Sequence, residues 1–174
     1  KQAGGAAKYL QGKSIDLIIS SDLERCKETA DIIAKLSPDA EIVFDERLRE
    51  RFGGEWEGLL HDEIKEKYSV KEWDNRMHYE YKPGGGESWK DLEERVWPFF
   101  VHHRKNHKHK NIVIVTHGGP IRMLRKRIKN EPFDEARNYW AHNAEVVELV
   151  ISSEGCKKCG GDIFESINDT LDTW

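Results

Sequence analysis

Ile112-Val113-Ile114-Val115-Thr116-His117-Gly118-Gly119 runs four β-branched apolar residues into a histidine and two glycines, and a helical pattern follows from Pro120. That is the pattern of a buried strand, a tight turn and a helix start. A histidine at such a junction stands at the carboxyl end of a strand, where open α/β sheets place their ligands. The glycines let a ligand approach the backbone, and the free N–H groups of a helix start attract anions. The stretch therefore predicts a histidine in a phosphate or carboxylate site.

The same signature occurs earlier in the chain. Ile15-Asp16-Leu17-Ile18-Ile19 reads as a strand, Ser20-Ser21-Asp22 offers caps, and a helix follows from Leu23 to about Leu36. Ser37-Pro38-Asp39 ends it, and Glu41 to Phe44 reads as the next strand. Gln2 to Leu10 reads as an amphipathic helix with Ala3, Ala6, Ala7 and Leu10 on one face. Residues 61–81 read as one helix that packs through Ile64, Tyr68 and Trp73. Pro83-Gly84-Gly85-Gly86 is a loop. Glu87 to about His107 is a long helix with the stripe Trp89, Leu92, Val96, Phe99, Phe100. A helix after the histidine extends to about Lys129, and 146–151 and 162–167 read as the last strands. Alternating strand and helix predicts an α/β fold, a mostly parallel central sheet flanked by helices in a three-layer sandwich, over one domain, 1–174.

Bulk properties narrow the function. A chain of 174 residues with 34% charged and 37% hydrophobic residues can bury a real core. A formal net charge of -4 gives no electrostatic case for nucleic acid. No apolar run approaches the roughly 20 residues of a membrane span, and no secretory signal opens the chain. Three cysteines make no disulfide framework, which points to a reducing, cytoplasmic setting. There is no G-x-S-x-G elbow, no P-loop and no G-x-G-x-x-G after a strand, so serine hydrolase, nucleotide kinase and dehydrogenase readings lack support.

Four constellations carry candidate chemistry. Thr116-His117-Gly118-Gly119 is the first; its plainer reading is a buried, hydrogen-bonded core histidine. Arg25, in the first turn after Ser20-Ser21-Asp22, is the second. Alone it reads as a surface ion-pair residue. Beside a histidine at a similar strand end, its planar fork suits a pair of phosphate oxygens. The third is the charged loop Leu48-Arg49-Glu50-Arg51-Phe52-Gly53-Gly54-Glu55-Trp56-Glu57-Gly58, where a carboxylate could donate a proton to a leaving oxygen. The fourth, Gly84-Gly85-Gly86-Glu87-Ser88-Trp89, reads either as a substrate loop or as a turn with Glu87 or Ser88 capping the next helix. Cys156 and Cys159 have the spacing of half a zinc knuckle without a second pair, so a hairpin turn is the plainer reading. His102, His103, His107 and His109 among lysines read as a solvated helix terminus.

In this order the motifs resemble the histidine phosphatase superfamily, also called phosphoglycerate-mutase-like. The matching segments are Ser20-Ser21-Asp22-Leu23-x-Arg25-x-x-x-Thr29-Ala30, Leu48-Arg49-Glu50 with Gly54-x-Trp56-x-Gly58, Gly85-Gly86-Glu87-Ser88, and Val115-Thr116-His117-Gly118-Gly119 with Ile121-Arg122. Gln2-Ala3, Asn143 and Ile167-Asn168-Asp169-Thr170 extend the likeness over nearly the whole chain. One departure is severe: the family's Arg-His-Gly, which follows its first strand and carries the nucleophilic histidine, occurs nowhere in these residues. With Lys1 rather than Met at the start, the chain reads as N-terminally truncated, lacking a strand that is central in the family's sheet.

The resemblance implies a full-length phosphomonoester hydrolase with a phosphohistidine intermediate. Arg25, His117 and the Gly118 N–H would stabilise the phosphoryl oxygens, Glu50 would be the general acid and base, and Arg51 would touch the substrate. No cofactor and no metal is implied. The partner expected is a small phosphorylated metabolite, with no nucleic acid and no membrane, and a homo-oligomer stays open. Adding the missing N-terminal segment gives roughly 200 residues, nearer the family's compact phosphatases than its longer mutases. Mutase-type phosphotransfer and a non-catalytic phosphate-binding domain remain the alternatives, and the chain as given is expected to be inactive for want of a nucleophile.

Overall fold

The structure is a computed structural model that describes residues 2–107, 110–150 and 163–166. Helix α1 spans Gln2–Leu10 and strand β1 Leu17–Ser20; helix α2 spans Glu24–Ala34 and strand β2 Glu41–Phe44. After two single 3-10 turns come α3 (His61–Tyr68) and α4 (Val70–Asn75), then α5 (Trp89–Asn106), β3 (Ile112–Val115) and α6 (Gly118–Lys129). A short α7 (Phe133–Ala136) precedes β4 (Val147–Val150) and β5 (Ile163–Ser166).

β1 lies between β2 and β3 and is parallel to both, with Leu17 opposite Glu41 and Ile112, and Ser20 opposite Phe44 and Val115. Side chains alternate across such a sheet, and the core divides accordingly. Leu17 and Ile19 join Leu92, Val96, Phe99 and Met123 beneath α5 and α6. Ile18 joins Leu10, Cys26, Ala30 and Ile33 beneath α1 and α2. Helices therefore cover both faces, which is why β1 is buried at all four positions. This is the helix–sheet–helix layering that the alternating pattern predicts.

The far side of β3 is different. β3 is an outer strand of its sheet, and among the described residues no strand pairs with that edge. β4 and β5 pair antiparallel with each other in a separate two-stranded sheet. Between them lies a cleft of about 910 Å³, walled by β3 on one side and by 141–148 on the other. Ile112, Val113 and Ile114 are only half-buried there. An apolar, unpaired strand edge is a template for another strand.

Several boundaries differ from the sequence reading: β1 is Leu17–Ser20 rather than Ile15–Ile19, α2 ends at Ala34 rather than about Leu36, and α5 starts at Trp89 rather than Glu87. The expected helix over 61–81 breaks at Ser69, which adopts a positive φ of 104° and accepts a hydrogen bond from the Glu72 N–H, so that one helix stops and a shorter one begins. The residues after Asn75 fold into turns, where the Arg76 carbonyl accepts a hydrogen bond from the Trp89 indole. Helix α2 starts one residue later than expected. Ser21 Oγ accepts from the Leu23 N–H, and Asp22 is drawn off to pair with Arg49. Cys156, Cys159, His109 and the closing segment 167–170 lie outside the described residues.

Candidate active site

The carboxyl ends of β1 and β3 lie side by side, because Ser20 and Val115 are in register. The residues that follow each strand therefore meet. Arg25, in the first turn of α2, donates from Nε to Nδ1 of His117 at 3.1 Å. Since Nδ1 accepts, the imidazole proton sits on Nε2, which donates to Ser21 Oγ at 3.0 Å. Cys26 Sγ packs 3.4 Å from the same nitrogen. His117 is 8% exposed. Burial, then the charges of Arg25 and Arg95, pushes its pKa down to about 4, so it is neutral at pH 7.

His117 is also the residue before α6, and Gly118 is that helix's first residue. The first amide groups there have no acceptor within the helix and are free to meet an anion. One of them is engaged: the Gly119 N–H donates to Glu50 Oε2 at 3.1 Å. Glu50 Oε1 accepts from the Arg51 N–H at 2.7 Å. A methyl group on Gly119 would overlap Glu50 Oε1, so this glycine is required by the close approach of the carboxylate. Arg25, Glu50, Thr116, His117 and Gly118 all line the inner end of the cleft beside β3.

Arg51 lies just behind Glu50. Its guanidinium rests 4.1 Å from the centre of the Trp89 ring and donates to the Arg76 carbonyl. Burial pushes its pKa down to about 10, so it stays charged at neutral pH. Arg122, which the sequence reading quoted only within a motif, is 2% exposed and stacks on both Trp89 and Trp140. Its Nε donates to the Tyr139 carbonyl, and Nη1 is a buried donor without a partner among the described residues. Neither the Arg51 nor the Arg122 guanidinium lines the cleft; with Arg25 they place three cations around the single carboxylate of Glu50.

The sequence-predicted residues separate into those the fold gathers and those it does not. Arg25, Glu50, His117 and Gly118 converge although 92 positions separate Arg25 from His117. Glu87 does not line the cleft. It pairs with Arg95 and bonds the Phe52 backbone. Ser88 caps α5 in a reciprocal box with Asp91, which settles the choice between substrate loop and cap in favour of the cap. Lys82 and the Ser88 hydrogen bonds hold the Asp91 carboxyl down to about 2. Among the described residues no cluster of three metal-ligating side chains occurs.

Comparison with known proteins gives this geometry a lineage. The family model of the histidine phosphatase superfamily (branch 1) matches residues 1–159. The chain belongs to that superfamily. A 2,3-bisphosphoglycerate-dependent phosphoglycerate mutase of Bartonella henselae is 33% identical over 132 residues, covering 71% of this chain and 63% of the mutase. The chain spans less than two thirds of the length of curated relatives such as this one. Among solved structures, Bacillus stearothermophilus YhfR superposes with a TM-score of 0.83 at 26% identity, covering 95% of this chain and 80% of that one. A mycobacterial glucosyl-3-phosphoglycerate phosphatase superposes with a TM-score of 0.75 at 29% identity, covering 85% and 74%. This chain is thus similar both to mutases and to phosphatases of its superfamily.

Proposed function

We propose that the full-length protein is a phosphomonoester hydrolase that works through a phosphohistidine, and that residues 1–174 form one domain of it lacking the nucleophile. The observation that carries this reading is the convergence of Arg25, His117, Gly118 and Glu50 at the inner end of a cleft whose wall is an unpaired strand edge. An extended segment adding in parallel to β3 would end beside these residues. A histidine following that segment, as in the family's Arg-His-Gly, would face the phosphate.

In this reading the nucleophilic imidazole nitrogen attacks phosphorus, and the P–O bond to the leaving alkoxide breaks. Arg25 turns from His117 Nδ1 to a phosphoryl oxygen, joined by His117 and the Gly118 N–H. Such stabilisation of developing charge is the main resource of phosphoryl transfer. Glu50 gives its proton to the leaving oxygen. It then takes one from the water that attacks the phosphohistidine, releasing inorganic phosphate and the free imidazole. No metal is required, because the cationic side chains supply the field. The substrate is a small phosphorylated metabolite in a reducing, cytoplasmic setting, and Arg51 contacts its alcohol part.

The similarity to phosphoglycerate mutases favours a second reading, in which the phosphoryl group passes to another hydroxyl instead of water. One experiment addresses both. Full-length protein is assayed on a panel of phosphomonoesters, with release of inorganic phosphate and isomer formation measured separately, beside residues 1–174 alone. The expected result is phosphate release by the full-length protein and none by 1–174. Robust turnover by 1–174, abolished by His117→Ala, overturns the proposal, and isomer formation without phosphate release selects the mutase reading.

A further inference from the structure

The loop that carries Glu50 has no regular secondary structure at its functional end. A single 3-10 turn (Glu46–Leu48) leads into extended backbone at Arg49. Yet its carbonyls are held almost without a break by side chains from outside the loop. Arg95, on α5, reaches across with its whole guanidinium. Nη1 donates to the carbonyl of Arg47 at 2.7 Å and of Arg49 at 3.1 Å, with a longer contact to Glu46 at 3.5 Å. Nη2 donates to the Glu50 carbonyl at 3.4 Å. The one carbonyl Arg95 misses, that of Leu48, accepts from Thr116 Oγ1 at 2.7 Å.

Arg95 is itself fixed. Glu87 accepts from its Nε at 2.8 Å and its Nη2 at 2.7 Å, a two-pronged ion pair in which both side chains are 22% exposed. Glu87 is then tied to the far side of Glu50. Its Oε2 accepts from the Phe52 N–H at 3.0 Å, and its own N–H donates to the Phe52 carbonyl at 2.8 Å. The two residues clasp the backbone on both sides of Glu50–Arg51. Carboxylate and guanidinium forks of this kind fix orientation as well as supplying energy.

We propose that Glu87 and Arg95 are positioning residues for Glu50, setting the general acid at its place over the Gly119 amide. This rests on the hydrolase reading above and gives a purpose to Glu87, which the sequence singled out and the cleft did not use. Neither residue lines the cleft. Their effect comes through Glu50, and proton donation depends steeply on placement.

Leaving groups separate positioning from general damage. A nitrophenolate leaves without a proton, whereas an alkoxide needs one. Loss of the Glu50 placement should therefore slow alkyl phosphates selectively. In the full-length protein, Arg95→Lys is expected to lower kcat on an alkyl phosphate by on the order of 100-fold, within the usual worth of a general acid, and kcat on p-nitrophenyl phosphate by less than about threefold. Glu87→Gln, which keeps the shape and removes the charge, is expected to show the same selectivity to a smaller degree. Equal losses on the two esters, or no loss, overturn the proposal.

If the full-length protein hydrolyses neither ester, the functional reading fails and the positioning claim still has its own test. In residues 1–174 the Gly119 and Arg51 amides donate to the Glu50 carboxylate, so Glu50→Ala should shift their NMR resonances. In an Arg95→Lys background those shifts are expected to shrink at least twofold while the spectrum stays folded. Unchanged shifts overturn the claim.

Discussion

His117 is a buried neutral imidazole, and that state makes a quantitative demand on stability. The perturbation is a drop in pH from 7 to 5. In the unfolded chain the imidazole titrates near its ordinary 6.5, while in the folded chain burial and then the Arg25 and Arg95 charges hold it at about 4. The unfolded state therefore takes up a proton in this window that the folded state refuses. The folded pKa is the lower one, so the stabilisation is present above 6.5 and is lost as pH falls toward 4. Integration with those two values gives a loss of about 0.2 kcal/mol at pH 7, about 2 at pH 5 and about 3 once both states are protonated. Other groups also destabilise the fold in acid. Asp45 and Asp91 are held low by Arg47 and Lys82, and burial holds His103 low. The comparison must therefore be differential. Urea unfolding of residues 1–174 and of His117→Gln, at pH 7 and at pH 5, cancels those shared terms. The wild-type chain is expected to lose about 2 kcal/mol more than the variant between the two pH values. Parallel losses would refute the argument, as would a His117 ring resonance titrating at or above pH 6.

Two further substitutions test the packing that builds the site. Gly119→Ala places a methyl on Glu50 Oε1 and near Leu92, so it should displace the carboxylate and cost about 1–3 kcal/mol in a urea melt. An unchanged midpoint would show that the carboxylate is not held against this amide. Phe99→Ala empties a fully buried position beneath the sheet and should cost about 3–5 kcal/mol, with cooperativity retained. A loss under 1 kcal/mol would place Phe99 outside the core.

Much of the fold was legible because it follows from short-range pattern. The apolar runs Ile112–Val115 and Ile15–Ile19 read as strands, and α5 had to turn Leu92, Val96 and Phe99 inward, since apolar spacing states this directly; β1 is fully buried, whereas β3 is half-buried along its open edge. His117 and Arg25 stood out for a different reason: each follows the carboxyl end of a strand, where backbone groups are free, whereas Glu50 and Gly118 were singled out only through the family resemblance. The break at Ser69 was not legible. A positive φ at serine has no local signal when apolar residues continue on either side. Arg95 was missed for a related reason. It stands on α5 like any polar residue of a long helix, and nothing nearby in sequence says that its fork will gather the carbonyls of a loop lying 45 to 49 positions away.

The sequence by itself determined the layers, the parallel central strands and the residue types of an anion site, because periodicity, capping and strand-end position are local properties of the chain. Only the tertiary structure decided which tautomer His117 adopts, that Glu50 lies against the Gly119 amide, that Glu87 serves the loop rather than the cleft, and that β3 leaves an edge beside the site. Those depend on where a parallel register brings distant strand ends, and register is set by packing across the whole sheet.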